Sequence, residues 1–337
     1  MKILITGGAG FIGTNLCAHI LDETDHSVVC IDALTYAADR AAVKEFEKNG
    51  HYKFYKADIC DADTVQKIFK GEKPDAVMHL AAESHVDRSI AGPEKFINTN
   101  IAGTYTLLEA AREYFEREKK SNAGAFRFHH ISTDEVYGTL GDEEYFREDT
   151  PYDPRSPYSA SKAASDHLVR AWAHTYGLPV VITNCSNNYG PHQYPEKLIP
   201  VIIKNALAGK KIPIYGEGKN VRDWLYVKDH AKALVRVLEN GVNGESYNIG
   251  GNAEITNIDL AHMICDLLDQ LAPESKHKPH RTLINFVPDR PGHDYRYAMD
   301  ITKIQKEIGW VPETTLEAGI LQTIKWYLTN PAFLNRN

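Results

Sequence analysis

The residues best suited to chemistry fall into three groups. The first is Gly7-Gly8-Ala9-Gly10-Phe11-Ile12-Gly13, which follows an apolar run directly and opens a helical pattern. Glycines permit a tight turn and let the backbone approach a pyrophosphate, whose charge a helix N-terminus favours. In this strand–turn–helix setting the pattern predicts a dinucleotide site rather than a bare turn. Asp32 ends the second apolar run, 22 positions after Gly10, where an acid accepts hydrogen bonds from the adenosine ribose. A carboxylate there repels the 2′-phosphate of NADP and no Arg follows immediately, so NAD is the expected cofactor. Asp58 and the turn Leu80-Ala81-Ala82, after the third and fourth apolar runs, can contact adenine and ribose, or serve as a cap and as tight packing.

The second group is Tyr158-Ser-Ala-Ser-Lys162. The same spacing recurs at Tyr52…Lys56 and Tyr215…Lys219, so spacing alone decides nothing. On a helix, residues four apart share one face with their Cβ atoms about 6 Å apart. On a strand they are separated by about 13 Å. Tyr52 and Lys56 fall in a strand pattern, and Tyr215-Gly-Glu-Gly-Lys219 reads as a turn. Only the pair at 158 and 162 opens a helical pattern, after Pro157. A lysine beside the phenol is expected to lower the tyrosine pKa and make it a usable base. The third group is Asp134-Glu135, leaving a strand as Ser132-Thr133-Asp134-Glu135-Val136-Tyr137-Gly138. Two adjacent carboxyls at the ligand-binding edge of an open sheet can supply an acid and a base; the plain alternative is a capping cluster.

These groups need a scaffold, and the hydrophobic pattern supplies one. Strands are expected at Lys2–Thr6, Ser27–Asp32, Tyr52–Lys56, Ala76–Leu80, Phe126–Ser132 and Pro179–Asn184. Helices are expected between them at Ile12–Leu21, Ala38–Lys48, Ala62–Phe69, Pro93–Glu118 and Ser159–Tyr176. This alternation predicts an α/β, doubly wound Rossmann parallel sheet. It degrades after Cys185, where prolines break the chain into short pieces. A strand–helix unit returns at Trp224–Leu238, a strand at Ser246–Ile249, and helices at Asn257–Leu271 and Leu316–Leu328. Ala272–His280 is the expected mobile loop. The pattern predicts an NAD-binding domain over 1–184, with 222–250 returning to it. A smaller, interleaved α/β domain then takes 185–221 and 251–337 for the substrate.

The composition narrows the partners. With 43% hydrophobic and 25% charged residues over 337 positions the chain can bury a large core. A net charge of -7 disfavours nucleic acid and anionic membranes. No apolar run approaches the roughly 20 residues of a membrane span. The five cysteines are scattered, with no C-x-x-C pair, so the cytoplasm is the expected compartment. His129-His130 and His277/His280 lack Cys or acidic partners at metal-site spacing, and no metal is expected.

The Thr6–Gly13 turn with Tyr158-x-x-x-Lys162 resembles the extended short-chain dehydrogenase/reductase superfamily, which includes epimerases, dehydratases, decarboxylases and reductases. Three further segments narrow the likeness: Ser132–Gly138; Thr183–Pro191 with Pro195–Pro200; and Gly216–Val227 with Asp289–Asp294. Together these resemble the dTDP-glucose 4,6-dehydratase family over essentially the whole chain. The resemblance implies NAD-dependent oxidation at C4 of the hexose, elimination of water across C5–C6 and hydride return to C6. It gives catalytic roles to Thr133, Asp134, Glu135, Tyr158 and Lys162. At the cofactor it places Leu34, Thr35, Ile59, Ser84, Thr99 and Asn188 beside the residues already named. At the nucleotide sugar it places Ser84, Asp87, Thr133, Asn187, Lys197 and Leu198. It adds Pro213, Tyr215, Asn257 and His293, with Arg222 and Arg290 at the diphosphate. A planar guanidinium suits phosphate oxygens, although each arginine has a plain alternative as an ion pair with Asp223 or Asp289. Ala33 and Ala38-Asp39 depart from the Lys and Gly-Asn that relatives often carry. The resemblance also implies a homodimer built on the helices 93–118 and 159–176. A nucleotide-sugar 4-epimerase shares everything except the acid pair, and a non-catalytic NAD-binding protein would have no use for it.

Overall fold

A computed structural model describes residues 1–119, 126–289 and 292–336. Its strands are β1 (Lys2–Thr6), β2 (Ser27–Asp32), β3 (Tyr52–Lys56), β4 (Ala76–His79), β5 (Arg127–Thr133), β6 (Val180–Cys185), β7 (Asn187–Tyr189), β8 (Ile212–Tyr215), β9 (Val221–Tyr226), β10 (Ser246–Ile249), β11 (Glu254–Thr256) and β12 (Ile284–Val287). Seven form one sheet in the order β10-β6-β5-β4-β1-β2-β3, and every pairing in it is parallel. Successive side chains of a strand face opposite sides. Ile3 and Ile5 therefore join one core with Val28, Cys30 and Met78, while Leu4 joins the other with Val29, Ile31 and Val77. Helices Phe11–Glu23 and Val227–Asn240 cover the first core; Ala62–Glu72, Thr104–Tyr114 and Pro157–Tyr176 cover the second. This is the doubly wound arrangement expected from the alternation.

The helix boundaries differ from the periodicity in instructive ways. Asp39 accepts from the N–H groups of Ala41 and Ala42, so the second helix starts only at Arg40. The carboxylate also meets His192 at 2.7 Å and Arg336 at 3.1 Å. The long helix expected over 93–118 runs from Glu94 to Lys119 but contains two wider, π-helical stretches, Ile97–Gly103 and Phe115–Lys119. Pro157 occupies the first turn of its helix, and Ser156 and Ser159 form a reciprocal capping box around it.

After Cys185, Pro191 and Pro195 lie in turns, whereas Pro200 sits in the first turn of helix Leu198–Leu207 and Pro213 within β8, and the elements are short. β11, β9 and β7 make a three-stranded sheet, while β12 and β8 pair in parallel. With helices Leu198–Leu207, Asn257–Leu271 and Leu316–Thr329 they enclose a third core around Tyr189, Ile202, Ile264 and Tyr327. Residues 272–279 run through turns, and His280 is buried.

Candidate active site

The C-terminal ends of the sheet strands open into one continuous cleft of about 610 Å³. The edge expected to take the cofactor is made mostly of backbone. Gly7 holds φ +75°, a conformation open to glycine, and a Cβ there would sit 2.7 Å from the Ala81 nitrogen. A Cβ on Gly13 would lie 2.1 Å from the Gly7 carbonyl oxygen. The first turn of helix Phe11–Glu23 has no side-chain cap and no acid, and Gly10 to Gly13 line the cleft. Asp32 accepts from the N–H groups of Ala9 at 3.0 Å and Leu34 at 2.7 Å, and burial raises its carboxyl against these bonds. Thr35, Asp58, Ile59, Leu80, Ala81, Ala82 and Thr99 line the same edge. Asp58 also accepts from the Cys60 N–H at 2.9 Å, so the turn role and the cleft position coexist. Leu34 does not line the cleft; it turns the backbone at φ +56° and its N–H is held by Asp32. Ala33 and Ala38 line the cleft, and Asp39 does not.

At the centre lies the end of β5. Thr133 donates to Asp134 Oδ1 at 3.2 Å and accepts from the Glu135 N–H at 3.3 Å. Asp134 is 1% exposed, and its Oδ2 is buried with no hydrogen-bond partner. Burial, followed by the charge of Glu135, pushes its carboxyl well above the ordinary range. Tyr158 and Lys162 are both buried and both line the cleft, as do Thr133, Asp134 and Glu135. The decoy pairs part as spacing predicts: Tyr52 and Lys56 lie on β3, and Tyr215 ends β8 before the glycine turn.

One expectation needs correction. Lys162 does not lower the Tyr158 phenol in this structure. Burial and the neighbouring charges of Glu135 and Cys185 raise it well above its usual value, against a lowering contact from Thr133. The Lys162 ammonium donates to the Ile131 carbonyl oxygen at 2.9 Å, and burial lowers its own pKa. Desolvation therefore outweighs the one lowering contact, from Thr133.

The opposite edge is made of side chains. Lys197 Nζ donates to the Ser84 carbonyl oxygen at 3.0 Å, and the Tyr215 hydroxyl reaches Asp87 at 3.5 Å. The Asn188 side-chain oxygen accepts from His230 Nδ1 at 2.8 Å, and its amide nitrogen donates to the Ser186 carbonyl at 3.0 Å. Arg222 donates to the carbonyls of Val221, Tyr295 and Asp294, and its guanidinium lies 4.3 Å from the Tyr297 ring centre. Asp223 instead accepts from Gly251 and Ala253. Asn187, Leu198, Pro213, Asn257 and His293 complete this edge, and His293 pairs with Asp289 at 2.6 Å. Arg290 lies outside the described residues.

A sequence model of the family described as GDP-mannose 4,6 dehydratase matches residues 4–323. The dTDP-glucose 4,6-dehydratase 1 of Escherichia coli (strain K12) is 57% identical over 344 aligned residues, spanning 99% of this chain and 95% of the relative. A crystal structure of the Streptomyces venezuelae dTDP-glucose 4,6-dehydratase with NAD bound is 43% identical. It covers 99% of this chain and 98% of its own, with a TM-score of 0.88. The chain belongs to the dTDP-glucose 4,6-dehydratase family. The fold extends beyond it: a UDP-glucose 4-epimerase of Thermotoga maritima, 28% identical, superposes with a TM-score of 0.85 over 98% of this chain and all of its own. Fold therefore does not separate dehydratase from epimerase; the residues at the end of β5 must.

The cofactor edge fits the NAD of this dehydratase family. An uncapped helix start, a turn that excludes any Cβ and a buried carboxylate at the end of β2 form the donor and acceptor set that a dinucleotide requires. The cleft residues that were not anticipated include Tyr36, Glu196, Trp224 and Tyr297. The Tyr36 hydroxyl donates to Glu196 at 2.8 Å across the cleft mouth, and Arg88 stacks 3.8 Å above the Tyr36 ring. Tyr297 is buried and donates to Asp294 at 2.5 Å. Among 18 tyrosines, no local spacing marks these two.

Proposed function

We propose that this protein converts dTDP-glucose to the dTDP-4-keto-6-deoxy sugar by internal oxidation, dehydration and reduction. The observation that carries the reading is the Asp134–Glu135 pair, with one carboxyl sealed from water and held toward its neutral form beside Thr133 and Tyr158. Bound NAD would take the hydride from C4 and return it to C6, while the proton that Glu135 removed from C5 goes back to that carbon. The Gly7–Gly13 turn would hold its pyrophosphate, Asp32 its adenosine ribose, and Lys162 the ribose beside the reacting ring.

Tyr158 removes the proton of the 4-hydroxyl, while Thr133 hydrogen-bonds the same oxygen. A phenol raised by burial needs a nearby positive charge to ionise, and the oxidised nicotinamide carries one. The 4-ketone acidifies the C5–H, so oxidation must precede elimination. Glu135 removes that proton, and neutral Asp134 protonates the departing 6-hydroxyl, which leaves as water. Splitting the protonation of two adjacent carboxyls is what their unequal burial favours. Arg222, with Arg290, is assigned to the diphosphate, and Asn187, Lys197, Leu198 and Tyr215 to the nucleotide.

In this reading 1–184 with 222–250 is the NAD-binding domain, and 185–221 with 251–337 mainly binds the nucleotide sugar. The pairing of β10 with β6 supports it. Two copies associate as a homodimer through helices 94–119 and 157–176, where Ile97, Tyr105 and Tyr176 are exposed and Tyr105 packs on Trp172. No helix among the described residues is long and apolar enough to cross a membrane. The cysteines form no disulfide, which supports a reducing, cytoplasmic setting.

Incubation with dTDP-glucose, UDP-glucose and GDP-mannose, followed by mass spectrometry, tests the reading. Loss of one water from the thymidine nucleotide is expected; a product of unchanged mass would make the protein an epimerase. Glu135→Gln should stop water loss while hydride still leaves C4, and full-rate dehydration by that variant would remove Glu135 from its role.

A further inference from the structure

A second buried carboxylate stands behind the residues that would touch substrate. Asp166 follows Lys162 by four positions on helix Pro157–Tyr176 and is fully buried, so the two side chains share a face with Cβ atoms about 6 Å apart. Its oxygens are crowded with donors from three directions. Oδ1 meets His130 Nε2 at 3.0 Å; Oδ2 accepts from Ser132 at 2.8 Å, from Tyr152 at 2.9 Å and from Asn184 at 3.5 Å. The Asn184 amide also donates to the Thr133 carbonyl at 3.1 Å. His130 and Ser132 belong to β5 and Asn184 to β6, so one carboxylate ties the lysine's helix to the strand ends that carry Thr133 and Cys185.

We propose that Asp166 is a positioning residue for this reaction, acting as the buried counter-ion that keeps Lys162 an ammonium while pegging the ends of β5 and β6 to its helix. A buried lysine with no anion nearby gives up its proton. The titratable groups around Lys162 are Tyr158 and Asp166 on its own helix, His79 from β4, His130 from β5 and Cys185 from β6. Burial drives His79 well below its usual value, His130 down to about 4, and Cys185 up to about 12. Those three are neutral near pH 7. For Asp166, burial alone would favour the acid, but His130, Lys162 and Ser132 outweigh it and hold the carboxyl below its ordinary value. Burial pulls the Lys162 ammonium down, and Asp166 is the main charge opposing that pull. Arg170, one turn further on, donates to Ser246 at 2.9 Å and also acts on Asp166 from the far side.

The inference rests on the role given to Lys162 above. Turnover of dTDP-glucose by the unaltered holoenzyme is therefore the control: failure there sinks the functional reading, not this one. In Asp166→Asn holoenzyme the alkaline limb of the kcat profile should move to lower pH by about one unit or more. The KM for dTDP-glucose should stay within about twofold. A merely structural carboxylate would lower the amplitude or the melting temperature and leave the limb in place, and a folded variant with an unmoved limb overturns the proposal. If Asp166→Asn does not fold, Lys162→Met/Asp166→Asn decides. Removing the stranded ammonium should restore folding, and a double variant as unfolded as the single one also overturns it.

Discussion

The two edges of the cleft are built from different materials. On the cofactor edge the decisive features are backbone: a glycine at φ +75°, an uncapped helix start and a turn with no room for a methyl group. On the edge proposed for the nucleotide sugar they are side chains that reach across from separate elements, such as Lys197 to Ser84 and Tyr215 to Asp87. Backbone geometry tolerates almost no substitution, whereas long polar side chains can be exchanged at modest cost. The first edge is suited to a ligand that stays through turnover, the second to one that must come and go.

The sharpest test of this contrast lies between the edges. Tyr158→Phe should lower kcat by about 10³-fold, with no transient NADH absorbance and little change in KM. An effect confined to KM would shift control of the reaction to the nucleotide edge. Gly13→Ala should destabilise the fold on the order of 3 kcal/mol through overpacking and yield protein purified without NAD, measured by thermal melting and cofactor content. A stable, NAD-loaded variant would show that the turn can relax, and the contrast would break.

Buried histidines, His130 on β5 and His230 beside Asn188 among them, should make the fold sensitive to acid. Burial lowers His130 from 6.5 to about 4 and His230 from 6.5 to about 3. Below the unfolded value the denatured chain binds protons that the native one refuses. The stability is complete above about pH 6.5 and is lost as the pH falls toward the folded values. Melting at pH 5 rather than 7 should reveal a loss on the order of a few kcal/mol; an unchanged melting temperature would mean that both rings charge without cost. The smallest effect is expected at Lys197→Met: KM for dTDP-glucose raised roughly tenfold, with kcat and melting temperature nearly unaltered.

The same contrast governs what the sequence discloses. β1 to β6, the glycine turn and the Tyr158–Lys162 helix are local patterns, and each lies where its spacing places it, to within one or two residues at the ends. β7, β8, β11 and β12 are three or four residues long. Their pairing is set by distant partners, such as Asn187 with Trp224 and Ile212 with Ile284, so no short window announces them. Tyr36 and Tyr297 were invisible for the same reason. The sign of the Tyr158 shift was missed because it depends on how much water burial removes, a three-dimensional quantity. Asp166 was in plain view, four residues from Lys162, but its meaning depends on donors from two strands.

The outer strand of the main sheet has a consequence for how the molecule is made. β6 is buried along its whole length, and the strand that seals its free edge is β10, reached only after β7, β8 and β9. As the chain leaves the ribosome, an apolar ladder of unpaired amides beside Thr133 and Cys185 waits for a seam that arrives late. A nascent or truncated polypeptide ending near residue 184 would carry that raw edge into solution, where self-association competes with completion of the enzyme.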